Sequence, residues 1–211
     1  MHRLCRKDYS LVGDIELGEA YLASLGKPWS LLIQQFRPCK LAKKDHLLPH
    51  QSVIKSIFFQ QLTPHVGNII FNRFKELFGG HFPPDEEIVE ASERLKDIGL
   101  SQRKMETIIR ISEFSLNKAI PSAEEIKTLS NQMIIERFIQ IKGIGQWTVE
   151  MMLMFNQLRM DVMPASDYAL RKNYTKLFQL DQLITATELG KVTQHLSPYR
   201  SVAAWYLWQL K

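Results

Sequence analysis

Two stretches of this chain combine residue types and spacing that can do chemistry. The first is "IKGIGQWTVEMM", residues 141–152, where Gly143-Ile144-Gly145 is followed at once by Trp147. Glycine inside a helix costs roughly 1 kcal/mol relative to alanine, so two so close together end one. Apolar residues nevertheless run at helical spacing on both sides: Ile134, Ile135, Phe138 and Ile141 before, Val149, Met152, Leu153 and Met154 after. Without Cβ atoms, backbone N–H groups in such a turn can be approached closely. They also open the next helix, where unpaired N–H groups and the helix dipole favour an anion such as a phosphate. An ordinary turn between two packed helices gives the same pattern.

The second stretch is "LRMDVMPASDYALRKNY", residues 158–174, which breaks at Pro164 and starts a new helix at Asp167. Asp167 reads first as an N-cap, worth about 1 kcal/mol. Asp161, the nearest other carboxylate, is placed to cap or brace the same loop.

The elements that must position these residues are helical almost everywhere. Helices are expected over 14–26, 28–36 (opened by Pro28), 49–62 and 64–80, the last stopping at Gly79-Gly80. Val66, Ile70, Phe74 and Phe78 recur every four residues on the fourth. Another follows the prolines of "FPPDEEIVEAS"; Gly99 ends one helix and Ser101 is placed to cap the next. "SAEEIKTL", "NQMIIERFIQI", "QWTVEMMLMFNQL", "DYALRKNYTKLF", "ATELGKVTQHL" and "PYRSVAAWYLWQL" complete the set. No window alternates strictly enough for a strand, so the fold class is all-α, with about ten or more helices on short loops. The 211 residues suffice for one large domain or two small packed lobes.

Lysine and arginine number 27 against 22 acidic residues, a net charge of +5 that suits a polyanion partner without demanding one. Asp85, Glu86, Glu87, Glu90, Glu93 and Asp97 gather acid in one segment, which reads as a solvated helix face. Cys5 and Cys39 are too few for a four-cysteine zinc or iron–sulfur site, and the six histidines show no ligand spacing, so no catalytic metal is expected. No apolar run approaches the ~20 residues of a membrane span. The N-terminal "MHRLCRKDYSLVGD" turns polar too early for a signal peptide, so a soluble intracellular protein is expected.

Together, the Gly-Ile-Gly hairpin and an aspartate 22 residues beyond its second glycine resemble the helix-hairpin-helix DNA glycosylase superfamily. Within it the chain most resembles the 3-methyladenine DNA glycosylase II, or alkylpurine DNA glycosylase, family. "IFFQQLTPHVGNIIFNRFKELFG", "LKDIGLSQRKMETI" and "LSPYRSVAAWYLW" agree, so the likeness runs from about Pro28 to Lys211. The resemblance implies a two-lobed all-α fold with a cleft between the lobes. A central helical barrel would span 50–159 and end in the helix-hairpin-helix. Segment 1–49 would pack with 160–211, which carries the catalytic aspartate. It implies that Asp167 is that aspartate, that Gly143, Ile144 and Gly145 grip a DNA phosphate, and that Trp147, Tyr168 and Trp208 line the base pocket. Leu62 falls where a family member pushes a side chain into the DNA stack; read by itself it is equally a buried core leucine. On burial tendencies alone Tyr168 and Trp208 are core or cap neighbours, and Trp205 and Tyr206 share the C-terminal helix as decoys. Met151 stands where a family member has a further aromatic, and the extra N-terminal β-domain of some relatives is not expected.

The activity so implied is excision of alkylated purines, of 3-methyladenine and 7-methylguanine type, in base excision repair. The target base is flipped from the duplex at a cost of a few kcal/mol. Positive charge then develops on the deoxyribose, and a nearby carboxylate stabilises it or orients water. A purine alkylated at N3 or N7 is already cationic, so the pocket needs aromatic walls, worth ~0.5–2 kcal/mol by cation–π attraction, rather than an acid. Strand-cleaving superfamily members carry a Schiff-base lysine at the position of Trp147; an indole cannot do this chemistry, which makes the expected enzyme monofunctional. The partner is double-stranded DNA bearing alkylated bases, met by a monomer. No cofactor is implied beyond a monovalent cation that hairpin carbonyls of the family can hold. The location would be the bacterial cytoplasm and nucleoid, or a eukaryotic nucleus. Two rivals remain: a non-catalytic helix-hairpin-helix DNA-binding protein, and a bifunctional glycosylase–lyase for oxidised bases.

Overall fold

The computed structural model describes residues 11–43 and 46–210; residues 1–10 of the polar N-terminal stretch, with His2 and Cys5, lie outside them. Twelve α-helices follow in order: α1 (Leu11–Ser24), α2 (Lys27–Phe36), α3 (Pro49–Phe59), α4 (Pro64–Glu76), α5 (Asp85–Glu90), α6 (Gln102–Leu116), α7 (Ala123–Thr128), α8 (Asn131–Phe138), α9 (Gln146–Phe155), α10 (Tyr168–Leu177), α11 (Ala186–Val192) and α12 (Arg200–Gln209). Two short 3-10 segments, Arg94–Ile98 and Gln194–Leu196, complete them. No strand occurs among the described residues, and no helix is long and apolar enough to cross a membrane.

The described residues divide into two compact units, one drawn from residues before 45 and after 152, the other from those between. The resemblance implies boundaries at 49/50 and 159/160.

In the unit of residues 46–152, α3 packs on α4 and α6, and α5 on α6. Its core is aromatic: Phe74 meets Phe58 at 5.1 Å between ring centroids and Phe78 at 5.3 Å, each worth about 0.5–1.5 kcal/mol beyond area burial. Helix ends follow local chemistry. Pro49 and Pro64 sit in first turns, and Ser122 with Glu125 forms a capping box on α7. Ser101 differs from expectation: it occupies the N-cap position of α6 with extended backbone, but its hydroxyl makes no capping bond. Val66, in the first turn of α4, lies exposed while Ile70, Phe74 and Phe78 on the same face are buried.

The acidic run is a solvated face with one exception. Glu86, Glu87, Glu90, Glu93 and Asp97 are exposed, whereas Asp85 is half-buried and lies 3.0 Å from His50 Nε2. Burial pushes the Asp85 carboxyl up, but the His50 hydrogen bond and charge, with the hydroxyls of Ser115 and Ser112, outweigh it and hold the pKa below its ordinary value. A lowered folded-state pKa contributes stability above the unfolded value of about 4 and loses it as pH falls through the folded value. Urea melts from pH 6 to 3 are therefore expected to show a steeper acid loss of stability for the unaltered protein than for Asp85→Asn. Parallel curves would contradict this role.

In the other unit, α12 packs on α1, α2 and α10. Glu19, buried on α1, organises this packing: its Oε1 accepts from the Cys39 backbone N–H at 2.7 Å and from the Tyr206 hydroxyl at 2.6 Å. Arg37 lies 3.7 Å from Oε2. Burial first, then Glu19, pushes the Tyr206 phenol far up. Burial pushes the Cys39 thiol up to about 12, so it stays a neutral packing group.

Candidate functional site

The hairpin between α8 and α9 is anchored by apolar residues on both flanks. Ile134, Ile135, Phe138 and Ile141 on one side and Val149 and Met152 on the other are all buried. The turn closes by backbone bonds from Ile144 N–H to the Ile141 carbonyl (3.0 Å) and from Thr148 N–H to the Gly145 carbonyl (3.1 Å). Ile144 is buried between two glycines in different surroundings. Gly143 has φ 104°, and a Cβ there would collide with the Thr107 side chain beneath it, so the fold itself requires glycine. Gly145 is exposed, its φ is not positive, and a Cβ on it would meet nothing within 4 Å. Nothing inside the unit demands a glycine there.

Trp147 stands on the first turn of α9 with 40% of its surface exposed, an uncommon position for the largest side chain. Beside the hairpin, Lys142, Arg103, Arg110, Thr107 and Glu106 line a cavity of about 410 Å³. Glu106 pairs with Arg110 at 3.4 Å, so positive charge predominates there. In the same unit Leu62 occupies the turn between α3 and α4 and is 37% exposed, which rules out its reading as a buried core leucine.

In the other unit, Asp167 is the N-cap of α10: Oδ1 accepts from Leu170 N–H at 2.9 Å and from the Trp208 indole N–H at 3.3 Å. The N-cap that the sequence assigns to Asp167 is thus present, on a half-buried carboxylate. Trp208 is half-buried and lies against Phe155, ring centroids 6.0 Å apart and 30° from parallel. Tyr168 is 62% exposed, with the Arg171 guanidinium 5.9 Å from its ring centre. Of the decoys, Tyr206 is consumed by Glu19 and the core, and Trp205 meets Tyr206 edge-on at 5.0 Å.

The loop that delivers Asp167 is braced by Asp161, as its place in the chain suggests, through partners with no local signal in the sequence. Arg200 grips Asp161 through two nitrogens, Nε to Oδ1 at 2.5 Å and Nη2 to Oδ2 at 3.0 Å, and Ser197 adds a bond to Oδ2 at 2.8 Å. Burial pushes the Asp161 carboxyl up, but Arg200 and Ser197 outweigh it and hold the pKa below its usual value. The Ser201 hydroxyl accepts from Val162 N–H at 3.0 Å and donates to the Arg159 carbonyl at 2.6 Å. Asp161 therefore braces the loop and α10 is capped by Asp167. Among the described residues no group of three His, Cys, Asp or Glu side chains could hold a metal ion.

Comparison with known proteins places this geometry. The family described as "HhH-GPD superfamily base excision DNA repair protein" matches residues 54–198. The chain is 38% identical over 204 residues to DNA-3-methyladenine glycosylase 1 of Schizosaccharomyces pombe, covering 94% of this chain and 89% of that one. A solved structure of S. pombe 3-methyladenine DNA glycosylase (Mag1) in complex with abasic DNA superposes with a TM-score of 0.79 at 39% identity, covering 92% and 95% of the two chains. A DNA-3-methyladenine glycosidase from Bacillus halodurans gives 0.81 at 30% identity, covering 90% and 88%. The chain belongs to the HhH-GPD superfamily of base excision DNA repair proteins.

Proposed function

We propose that this protein is a monofunctional DNA glycosylase that flips alkylated purines, of the 3-methyladenine and 7-methylguanine type, from duplex DNA and hydrolyses their N-glycosidic bond. The observation that carries this reading is the Asp167 carboxylate. It is held at a helix start by Leu170 N–H and the Trp208 indole, on a loop clamped by Arg200 and Asp161. As the glycosidic bond breaks, its electrons leave with the cationic base, which departs neutral. Positive charge grows on the sugar, Asp167 stabilises it, and water adds at C1′ with loss of a proton. In the unit that carries Asp167, exposed Tyr168 and half-buried Trp208 offer aromatic faces of the kind a cationic purine favours, and in the other unit Trp147 is an exposed aromatic of the same kind. The relatives named as 3-methyladenine glycosylases, one of them bound to abasic DNA, support both the substrate class and the partner.

Gly143, Ile144 and Gly145 would hold one phosphate, with Lys142, Arg103 and Arg110 adding charge beside them. The turn carbonyls are neutral oxygens; that of Ile141 accepts one backbone bond and keeps a second lone pair, a donor set that fits a monovalent cation. Such a cation would add positive charge near the phosphate.

The two glycines separate folding from binding. Gly143→Ala is expected to lower the melting temperature, since it combines a positive φ with a collision against Thr107. Gly145→Ala is expected to melt like the unaltered protein yet bind duplex DNA more weakly. A Gly145→Ala variant with full affinity would remove the phosphate role. Trp147 at the head of α9 offers no amine for a Schiff base, so borohydride treatment of the protein on damaged DNA is expected to trap no adduct. A covalent protein–DNA product would instead indicate the strand-cleaving class.

A further inference from the structure

The turn between α3 and α4 is held more firmly than a helix connection requires. Gln61 sits at φ 56°, a left-handed conformation that costs a non-glycine residue of order 1–2 kcal/mol. Just before it, the Gln60 carbonyl accepts a hydrogen bond at 2.7 Å from Lys104 Nζ, which reaches across from α6, 44 residues away in the chain. Lysine ordinarily keeps its ammonium in water. Lys104 is half-buried instead, and burial pulls its pKa below the ordinary value. On the far side of the turn α4 lies hard against Phe59: a Cβ on Gly67 would meet that ring at 2.9 Å or closer. Thr63 caps α4 through Val66 N–H at 3.4 Å. Between these fixings Leu62 is tied by its N–H to the Phe59 carbonyl at 3.3 Å and leaves its apolar side chain exposed. An apolar side chain on a fixed turn is the form of a wedge that enters a DNA stack, and rigidity spares it the ordering cost of insertion.

We propose that Lys104 is a positioning residue for base flipping: by clamping the Gln60 carbonyl it holds Gln61 left-handed and presents Leu62 as a rigid wedge that fills the stack when the damaged nucleotide leaves. This rests on the flipping-glycosylase reading above. Lys104→Met keeps the stem and removes the donor; Lys104→Arg keeps a charged donor able to reach the same carbonyl.

The test uses the full chain on a duplex with a single 7-methylguanine flanked by 2-aminopurine, whose fluorescence rises on unstacking. Single-turnover excision and the fluorescence rise are followed together, below each variant's melting temperature. Lys104→Met is expected to slow both by about fivefold, the size of coupling within one network, and Lys104→Arg to recover most of the loss. Leu62→Ala is expected to slow both further, and the double variant to match Leu62→Ala alone. The salt dependence of binding is expected to be the same for Lys104→Met as for the unaltered protein. An unslowed Lys104→Met, losses that multiply in the double variant, or a reduced salt slope would overturn the positioning role. If Leu62→Ala excises normally, the wedge is wrong while the glycosylase reading stands. If the unaltered protein releases no base, that reading fails and this inference with it.

Discussion

Asp167→Asn is expected to lower single-turnover base release by about 10²–10³, the loss typical of removing one preorganised electrostatic stabiliser, while fold and DNA affinity persist. The substitution is chosen because Asp167 holds two positions at once. As an N-cap it accepts from Leu170 N–H, and asparagine caps helices as well as aspartate does. The Trp208 indole N–H, 3.3 Å from Oδ1, also keeps an acceptor. The substitution removes the negative charge, which is what the developing charge on the sugar would depend on. Asp167→Ala would also lose the cap, about 1 kcal/mol, and so mix the two effects. Equal release by Asp167→Asn and the unaltered protein would show that another group carries the chemistry. Asp161 is a poor substitute, because Arg200 and Ser197 already occupy both of its oxygens.

The largest effect on stability is expected from Glu19→Ala. This change leaves the Cys39 N–H and the fully buried Tyr206 hydroxyl without their shared acceptor. Each orphaned buried donor costs about 1–3 kcal/mol, so a loss of roughly 3 kcal/mol is expected. For a chain of this size that lowers the melting temperature by about 6–12 °C. Tyr206→Phe removes a donor and leaves Glu19 with its bond from Cys39, so its loss is expected to be smaller. Denaturant melts of the two variants check the order. If Tyr206→Phe were the more damaging, Glu19 would not be the organising group.

The legible parts of this molecule are those whose causes are local in the chain. The hairpin shows itself because two glycines interrupt helical periodicity, and Asp167 because Pro164 and cap chemistry mark a helix start. The long-range fixings carry no such sign. Lys104 and Gln60, Asp161 and Arg200, and Glu19 and Tyr206 are separated by 44, 39 and 187 residues, and no periodicity links them. Asp85 is hidden for a related reason: it opens an acidic run that is otherwise solvated, and only the packing of α3 brings His50 to it. Ser101 shows the reverse error, since a favourable residue at a helix start need not turn its hydroxyl to the cap. The difference between the surroundings of the two glycines is likewise invisible in "GIG", because Thr107 lies under one and nothing over the other.

The most direct test of the central claim is to incubate the protein with methylated duplex DNA and identify what is released by chromatography. Free 3-methyladenine and 7-methylguanine are expected, with DNA strands that stay intact until alkali cleaves the abasic sites. Damaged DNA that is bound but releases no base would contradict that claim.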